Sequence, residues 1–339
     1  MPRSEVTINL GALRRNTRRL IALLDGSELW AVVKADAYGH GAVDAGRVAL
    51  EEGARALCVT TVGEGLALRI RFPESRIIVM GPCDESDVGS TSDAHLELAV
   101  VQAPFPDGIP LHLKLDTGMG RFGMTELPAP PPNAVGLMSH FATVDSDRDF
   151  AERQLDRFRA AVAAYPHLEA HIANSAAVLR LPSCQFSAAR CGVALYGLSP
   201  FGTDPIEDGL EPVLSWRSEL GQVKLLAPGE STGYGRRFVA ERPTWIGLVP
   251  VGYADGFRRD LTGAEVLVDG ERRRVVGTVS MDSFAVELPG ELLRGTPVTL
   301  IGDGLLAEEH ARVACTINYE ITTGIRSSPL RTERAFVDG

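Results

Sequence analysis

The stretch Leu29-Trp30-Ala31-Val32-Val33-Lys34-Ala35-Asp36-Ala37-Tyr38-Gly39-His40-Gly41 joins a short apolar run to one lysine and a glycine-containing turn. The run from Trp30 to Val33 is too short for a helix and includes two β-branched residues, which predicts a buried strand with Lys34 at its C-terminal end. In α/β folds the chemistry lies at that end of the strands. Burial lowers the pKa of a lysine, so Lys34 is a candidate nucleophile. A lysine that only extends its ammonium group to solvent fits the same pattern.

Around this stretch, segments typical of strands and helices alternate with a repeat of roughly 25 residues. Strand-like runs cover residues 30–33, 56–60, 76–80, 111–115, 135–140, 169–172 and 185–190, and helical spacing covers residues 11–24, 42–52 and 62–70. This alternation predicts an α/β fold whose parallel strands are covered by helices. We interpret it as a TIM-like β/α barrel over residues 10–211.

Two connections of the predicted barrel are short. Residues 124–134 contain four prolines, and each of them removes a backbone donor and clashes with the preceding turn of a helix. Residues 81–110 are few for the strand, helix and loop that one repeat requires. We therefore expect a barrel in which some outer helices are trimmed.

From Pro212 onward the pattern changes to short alternating runs separated by turn residues such as Asp269-Gly270. These runs cover residues 220–226, 244–251, 265–268, 274–279, 284–288 and 298–301. The pattern predicts a second, mainly antiparallel β domain over residues 212–339.

The composition limits the classes of protein to which the chain can belong. A chain of 339 residues that is 45% hydrophobic, with a mean hydropathy of +0.03, can bury a large core. A net charge of −10 argues against a nucleic-acid partner, and no segment reaches the ~18 apolar residues of a membrane span. The five cysteines are scattered outside C-x-x-C spacing, which predicts free thiols and no metal site. With no apolar signal segment at the N-terminus, we expect a cytoplasmic protein.

Six blocks of the sequence resemble one family in the order in which they occur. They are the lysine stretch, HLKLDTGMGRFG (112–123), SHFATVD (139–145), HIANSAA (171–177), RCGVALYG (190–197), and VGYADG (251–256) with VGTVSMD (276–282). The family is the alanine racemases, pyridoxal-phosphate-dependent enzymes built on a barrel of the bacterial type. The resemblance covers most of the chain and implies that residues 1–9 form a strand of the second domain.

The resemblance also implies the reaction and the assembly. It implies interconversion of L-alanine and D-alanine by a two-base mechanism on a pyridoxal phosphate aldimine, with D-alanine supplied to peptidoglycan synthesis. It implies a homodimer in which active sites are shared between subunits. A racemase of the same type that acts on serine or on a broader set of amino acids is the alternative that the sequence leaves open.

By the same resemblance, Lys34 binds the cofactor and is the base on one face of the substrate, and Tyr253 is the base on the other face. His140 and Arg190 support Tyr253, and Lys114 is a candidate for carbamylation. The implied cofactor-binding residues are Lys34, Tyr38, His171, Ser175, Arg190, Gly192, Val193 and Tyr319. The implied substrate-binding residues are Arg121, Met281 and Asp282.

Several of these residues also have an ordinary structural interpretation. Tyr253 fits a tyrosine that packs its ring beside a turn. The sequence Asn174-Ser175-Ala176-Ala177 fits a capped helix N-terminus, and His171 fits a buried histidine at a strand end.

Overall fold

The computed structural model describes residues 3–326 and 328–339, so residues 1 and 2 of the predicted first strand and residue 327 lie outside the description. The chain divides into two compact units. The barrel unit consists of Leu13–Phe201 and Asp208–Leu210. The β unit consists of Met1–Ala12, Gly202–Glu207 and Glu211–Gly339.

The first strand of the chain, β1 (Ser4–Asn9), belongs to the β unit, and the next eight strands form the barrel unit. These eight are β2 (Glu28–Val32), β3 (Ala56–Val59), β4 (Arg76–Val79), β5 (Glu97–Val100), β6 (Leu111–Lys114), β7 (Ala134–Met138), β8 (Glu169–His171) and β9 (Ala188–Cys191). Each pairs in parallel with the next along the chain from β2 to β8, and β9 returns to pair with β2. Backbone hydrogen bonds from Ser187 to Ala170 and from Arg190 to Ala173 bring β9 beside β8, so the barrel is nearly closed. The prediction of an α/β barrel is confirmed.

The strands are buried on both faces, as parallel strands covered by helices require. The helices that precede or connect these strands are Leu10–Ala22, Ala42–Glu51, Val62–Arg71, Val88–Asp93, Arg148–Ala164 and Ser175–Arg180. The predicted trimming is confirmed, because helix Val88–Asp93 has only six residues and residues 115–133, all described, contain no helix between β6 and β7.

The β unit contains the remaining strands and two short helices. The strands are β10 (Leu214–Glu219), β11 (Gln222–Leu226), β12 (Ser231–Thr232), β13 (Phe238–Val239), β14 (Thr244–Val249), β15 (Glu265–Val268), β16 (Glu271–Val276), β17 (Phe284–Leu288), β18 (Pro297–Ile301) and β19 (Thr332–Val337), and the helices are Ala307–Val313 and Asn318–Thr323. Nine strands form one sheet in the order β11-β14-β17-β16-β15-β18-β10-β1-β19, in which every pairing except β1 with β19 is antiparallel. The prediction of a mainly antiparallel domain is confirmed.

Four strands of this unit escaped the sequence analysis: the two-residue strands β12 and β13, and the longer strands β10 and β19. Strand β10 reads LSWRSE and β19 reads TERAFV, and both mix polar residues with few apolar ones. Strand β19 is the edge of the nine-stranded sheet, so its pattern of burial is weak. Within the described residues, no helix combines the length and the apolar character needed to cross a bilayer.

Candidate active site

Lys34 follows β2 and begins a turn of left-handed backbone. Residues 35–38 have φ values of 51°, 52°, 55° and 56°, a conformation that costs roughly 1–2 kcal/mol for each residue with a side chain. Two carboxylates hold this turn in place: Glu64 accepts a hydrogen bond from the Ala35 amide at 2.7 Å, and Asp36 accepts one from the Ala42 amide at 2.8 Å. The turn therefore fixes the backbone that carries the Lys34 side chain at the C-terminal rim of the barrel.

The electrostatic surroundings of Lys34 favour its neutral amine. Burial is the main cause that lowers the pKa of Lys34, and the nearby cations Arg121 and Arg190 lower it further, whereas Glu64 opposes the shift. A neutral amine is the form that attacks a carbonyl carbon. The sequence-based expectation of a nucleophilic lysine is thus physically consistent with the site.

Arg190 lies on β9 inside the barrel, where it bonds to two histidines. Its Nη1 is 2.6 Å from Nδ1 of His171 and donates to the His171 carbonyl at 2.8 Å, while Nη2 donates to the Ser139 carbonyl at 2.7 Å and lies 3.3 Å from Nδ1 of His140. Burial lowers the pKa of Arg190 only to about 10, so the guanidinium keeps its proton at neutral pH. Burial and then the charge of Arg190 hold the pKa of both histidines well below the usual range, so both imidazoles are neutral.

A small cradle lies between Ser175, Gly192 and Tyr38. Ser175 is the first residue of helix Ser175–Arg180, and its Oγ accepts hydrogen bonds from the amides of Gly192 at 3.1 Å and Ala194 at 3.4 Å. A Cβ added at Gly192 would lie 2.6 Å from the Tyr38 hydroxyl, so only glycine leaves room there. Hydroxyls, backbone amides and a helix N-terminus are the groups that hold a phosphate, so this cradle fits the phosphate of the expected cofactor. Val193 follows Gly192 and begins a short 3-10 helix.

Lys114 and Arg121 add two further cations to the barrel rim. Lys114 ends β6 and is 7% exposed. Burial, and then the charges of Arg190, Arg121 and Lys34, lower the pKa of Lys114 to about 8. Arg121 follows a loop in which Asp116 Oδ1 accepts hydrogen bonds from three successive amides, those of residues 118 to 120.

The remaining predicted residues lie in the β unit. Tyr253 and Met281 stand on two loops joined by backbone hydrogen bonds, from Tyr253 N to Ser280 O at 3.1 Å and from Ala254 N to Met281 O at 3.0 Å. The side chains of Tyr253 and Met281 are 41% and 52% exposed, so both are available for contact. Tyr319 lies in the first turn of helix Asn318–Thr323.

Arg331 ties the same two loops together through side chains. Its guanidinium bonds to the buried carboxylate of Asp255 at 2.6 and 3.1 Å and to Asp282 at 2.6 Å. Asp255 also accepts a hydrogen bond from the Gly252 amide at 2.9 Å. The backbone on either side of Tyr253 is therefore held by ionic and hydrogen-bond contacts.

The sequence analysis missed four residues that act on these groups. Glu64 holds the turn after Lys34, Arg331 links the Tyr253 and Asp282 loops, and His112 and Glu97 bond in series to His171. Only His112 carried a usable signal, because it precedes Lys114 by two residues on a predicted strand and so faces the same side of the sheet.

Both units match models of one protein family. Residues 8–200 match the N-terminal domain of alanine racemase, and residues 213–333 match its C-terminal domain. Among curated proteins, alanine racemase of Levilactobacillus brevis is 38% identical over 98% of each chain. That of Geobacillus stearothermophilus is 40% identical over 93% of this chain and 89% of its own. These matches do not favour the alternative of a racemase for serine or for a broader set of amino acids.

Solved structures agree with the sequence matches. The biosynthetic alanine racemase of Pseudomonas aeruginosa superposes with a TM-score of 0.91 at 32% identity, covering 99% of this chain and 100% of its own. Alanine racemase of Bartonella henselae, solved with covalently bound pyridoxal phosphate, superposes with a TM-score of 0.89 at 26% identity over 99% of this chain and 100% of its own. The architecture, the full-length identity and the agreement in both units lead to one conclusion: the chain belongs to the alanine racemase family.

Proposed function

We propose that this chain interconverts L-alanine and D-alanine with pyridoxal phosphate. One observation carries the proposal: the same rim of the barrel holds Lys34, whose pKa is lowered, and Arg190, a buried arginine bonded to two neutral histidines. The phosphate cradle at Ser175, Gly192 and Tyr38 supplies an independent fit to the same cofactor. The family matches support the same reaction.

Bound pyridoxal phosphate would withdraw electrons from the α-carbon of an amino acid and make its α-proton acidic. Lys34 Nζ would bind the cofactor covalently and carry a proton to and from one face of the α-carbon. Arg190 would donate a hydrogen bond to the pyridine nitrogen, and a guanidinium almost never transfers its proton. The ring nitrogen would therefore stay unprotonated, which limits electron withdrawal and disfavours protonation at the wrong carbon.

The opposite face needs a second base, and we assign it to Tyr253 of the partner subunit in a homodimer. The exposed Tyr253 side chain and the pinned loop beneath it support this assignment. A tyrosine needs nearby cations to act as a base at neutral pH, because its reference pKa is ~10. Arg190 would supply that charge from the barrel rim, and the neutral imidazole of His140, which Arg190 contacts through Nδ1, would donate a hydrogen bond to the tyrosine oxygen.

The other predicted residues divide between phosphate and substrate. We assign the phosphate to Tyr38, Ser175, Gly192, Val193 and Tyr319, with His171 orienting the cofactor through Arg190. We assign the substrate carboxylate to Arg121, whose planar fork suits a bidentate contact, with Met281 and Asp282 of the partner subunit beside it. In this scheme residues 10–211 are the cofactor-binding domain and residues 212–339, joined by strand 1–9, are the β domain.

The proposed function is tested by borohydride reduction followed by peptide mapping. The chain has three lysines, Lys34, Lys114 and Lys224, so the position of the reduced cofactor has only three possible answers. We expect the label on Lys34 alone, and we expect deuterium from solvent in the α-position of both alanine enantiomers. A label on another lysine, or no exchange with either enantiomer, would contradict the proposal.

Alanine at position 192 should weaken cofactor binding. The added Cβ would meet the Tyr38 hydroxyl at 2.6 Å, and overpacking of this kind costs about 1–3 kcal/mol, so we expect the Kd of pyridoxal phosphate to rise about tenfold or more. Absorbance titration of the apoprotein measures the change. Gly63→Ala is the matched control, because an added Cβ there meets no atom within 4 Å. Equal effects of the two substitutions would contradict the cradle.

Lys114 should carry a carbamate. The neutral amine adds to carbon dioxide and releases a proton, and with a pKa of about 8 its neutral fraction rises from about a tenth at pH 7 to about half at pH 8. The resulting anion would offset the surrounding cations and steady Arg121. Intact mass measured near pH 8 should include one carbon dioxide that is lost on acidification and is absent from Lys114→Gln. An unmodified Lys114 beside a chloride ion in a crystal would contradict this prediction.

We further propose that the enzyme works in the cytoplasm and that its D-alanine feeds peptidoglycan synthesis. The five cysteines are free thiols, which suits a reducing compartment. Expression of the chain without an added leader should restore growth of a bacterium that requires D-alanine. Growth that still depends on added D-alanine, despite folded protein in the cytoplasm, would contradict this assignment.

A further inference from the structure

A series of hydrogen bonds between buried polar side chains crosses the interior of the barrel unit. Arg190 Nη1 lies 2.6 Å from His171 Nδ1, His171 Nε2 lies 2.9 Å from His112 Nδ1, and His112 Nε2 lies 2.7 Å from Glu97 Oε2. Both imidazoles are fully buried. Beyond Glu97, Arg76 donates to both carboxylate oxygens, at 2.6 and 2.9 Å.

The Arg190 end of this series of hydrogen bonds fixes the position of every proton in it, and the Glu97 end agrees with the result. Arg190 has only donors, so His171 Nδ1 must accept and the proton of His171 must be on Nε2. That proton points at Nδ1 of His112, which must then be the acceptor, so the proton of His112 is on Nε2 and points at Glu97. Although burial opposes it, hydrogen bonds from His112 and Arg76 lower the pKa of Glu97 to about 2, so this carboxylate can only accept. One arrangement of protons satisfies all of these contacts.

This series of hydrogen bonds runs from one end of the barrel to the other. Arg76 and Glu97 are the first residues of β4 and β5, whereas His171 is the last residue of β8. The strands are parallel, so Glu97 lies at the N-terminal rim and the proposed active site at the C-terminal rim. Trp30 packs against both imidazoles, with ring centroids 5.8 Å from His112 and 4.6 Å from His171, and holds them in place.

At the other end of this series, the Arg190 guanidinium has only neutral hydrogen-bond partners among the described residues. The guanidinium donates to neutral groups, namely the carbonyls of Ser139 and His171 and the imidazoles. A buried charge is costly without a compensating one, and aligned hydrogen-bond dipoles transmit part of the effect of a distant carboxylate. Glu97 is the carboxylate at the far end of the aligned bonds, and because Arg76 pairs with both of its oxygens, we ascribe to Glu97 the alignment of the bonds and not the charge balance of Arg190.

We propose that His112 and Glu97 are positioning residues for Arg190, which act through His171 to fix the orientation of the guanidinium. The inference rests on the proposed function, because Arg190 is assigned there to the cofactor ring. Neither residue touches the substrate in this scheme. Their loss should therefore change turnover and the choice of reaction more than the binding of alanine.

The test compares two variants with one control. Glu97→Gln removes the charge with little change of shape, and His112→Asn keeps an acceptor near His171 but breaks the link to Glu97. Glu169→Gln is the matched control, because Glu169 also pairs with Arg76 but makes no contact in the series from Glu97 to Arg190. We expect kcat to fall about tenfold in both variants with KM nearly unchanged, and the formation of pyruvate by side transamination to rise by a similar factor.

A measurement without turnover separates this inference from the proposed function. Nitrogen NMR of isotope-labelled histidine should show His112 and His171 protonated on Nε2 in the wild-type protein, and a changed chemical shift of His112 Nε2 in Glu97→Gln as its hydrogen bond to a charged acceptor is lost. Circular dichroism confirms folding of each variant. A proton on Nδ1 of His171 in the wild type, or equal effects of Glu97→Gln and Glu169→Gln on kcat and pyruvate formation, would overturn the inference. Failure of the proposed function would appear instead as wild-type protein without racemase activity.

Discussion

Replacing Lys34 with alanine should reduce racemase activity by at least about 10⁴-fold and leave the cofactor removable by dialysis. The substitution removes both the covalent attachment of the cofactor and one of the two proton-transfer groups, and a positioned acid or base alone contributes up to about 10⁴-fold. The assay is the rate of interconversion of alanine enantiomers, followed by chiral separation. The spectrum of the protein after dialysis reports the loss of bound cofactor.

Lys224→Ala is the matched control for this substitution. Lys224 lies on β11 with an exposed side chain, so its removal should leave activity and cofactor retention unchanged. Activity of Lys34→Ala above a tenth of the wild-type value would mean that another group provides the amine. In that case the assignment of this stretch as the cofactor site would be wrong.

Replacing Tyr253 with phenylalanine should lower the interconversion by about 10²–10⁴-fold in both directions. Each turnover removes a proton from one face of the α-carbon and delivers one to the other face, so a single remaining base cannot complete it. In deuterium oxide the variant should place deuterium in one enantiomer only, the one whose α-proton faces Lys34. Tyr234→Phe, which changes a tyrosine that is 72% exposed in the same unit, should behave as wild type.

Mixing the two variants tests whether active sites are shared between subunits. A dimer of one Lys34→Ala subunit and one Tyr253→Phe subunit contains one site with both native residues, provided that Tyr253 serves the partner's site. Random pairing should then restore about a quarter of wild-type activity. Unchanged Tyr253→Phe activity would remove the second-base assignment, and mixed dimers without recovery would place both bases in the same chain.

The sequence predicted the barrel well because each repeat carries local information. A buried parallel strand reads as a short apolar run, and its helix reads as a longer run with helical spacing, so the alternation is visible without knowledge of the fold. The four prolines of residues 124–134 likewise showed that a helix was missing. The roles of individual residues came from the resemblance of whole blocks, because single residues such as Tyr253 and His171 also fit ordinary packing.

The left-handed turn after Lys34 could not be predicted from the residues that form it. Ala35 and Ala37 have no local preference for positive φ, and the one aspartate between them does not predict a run of four such residues. The first amide of the turn, that of Ala35, donates to the carboxylate of Glu64, and Glu64 lies on a helix that begins after the next strand. A contact across 29 residues decides the backbone here, and no pattern within the lysine stretch records it.

The sequence by itself determined the class of fold, the lysine at a strand end and the change to short antiparallel strands near residue 212. Only the tertiary structure decided the series from Glu97 through His112 and His171 to Arg190, and the contact of Arg331 with Asp255 and Asp282. The physical reason is one of range. Hydrophobic periodicity reports which face of a segment is buried, whereas the partner of a buried polar atom depends on which distant strands the closed barrel and the folded sheet bring together.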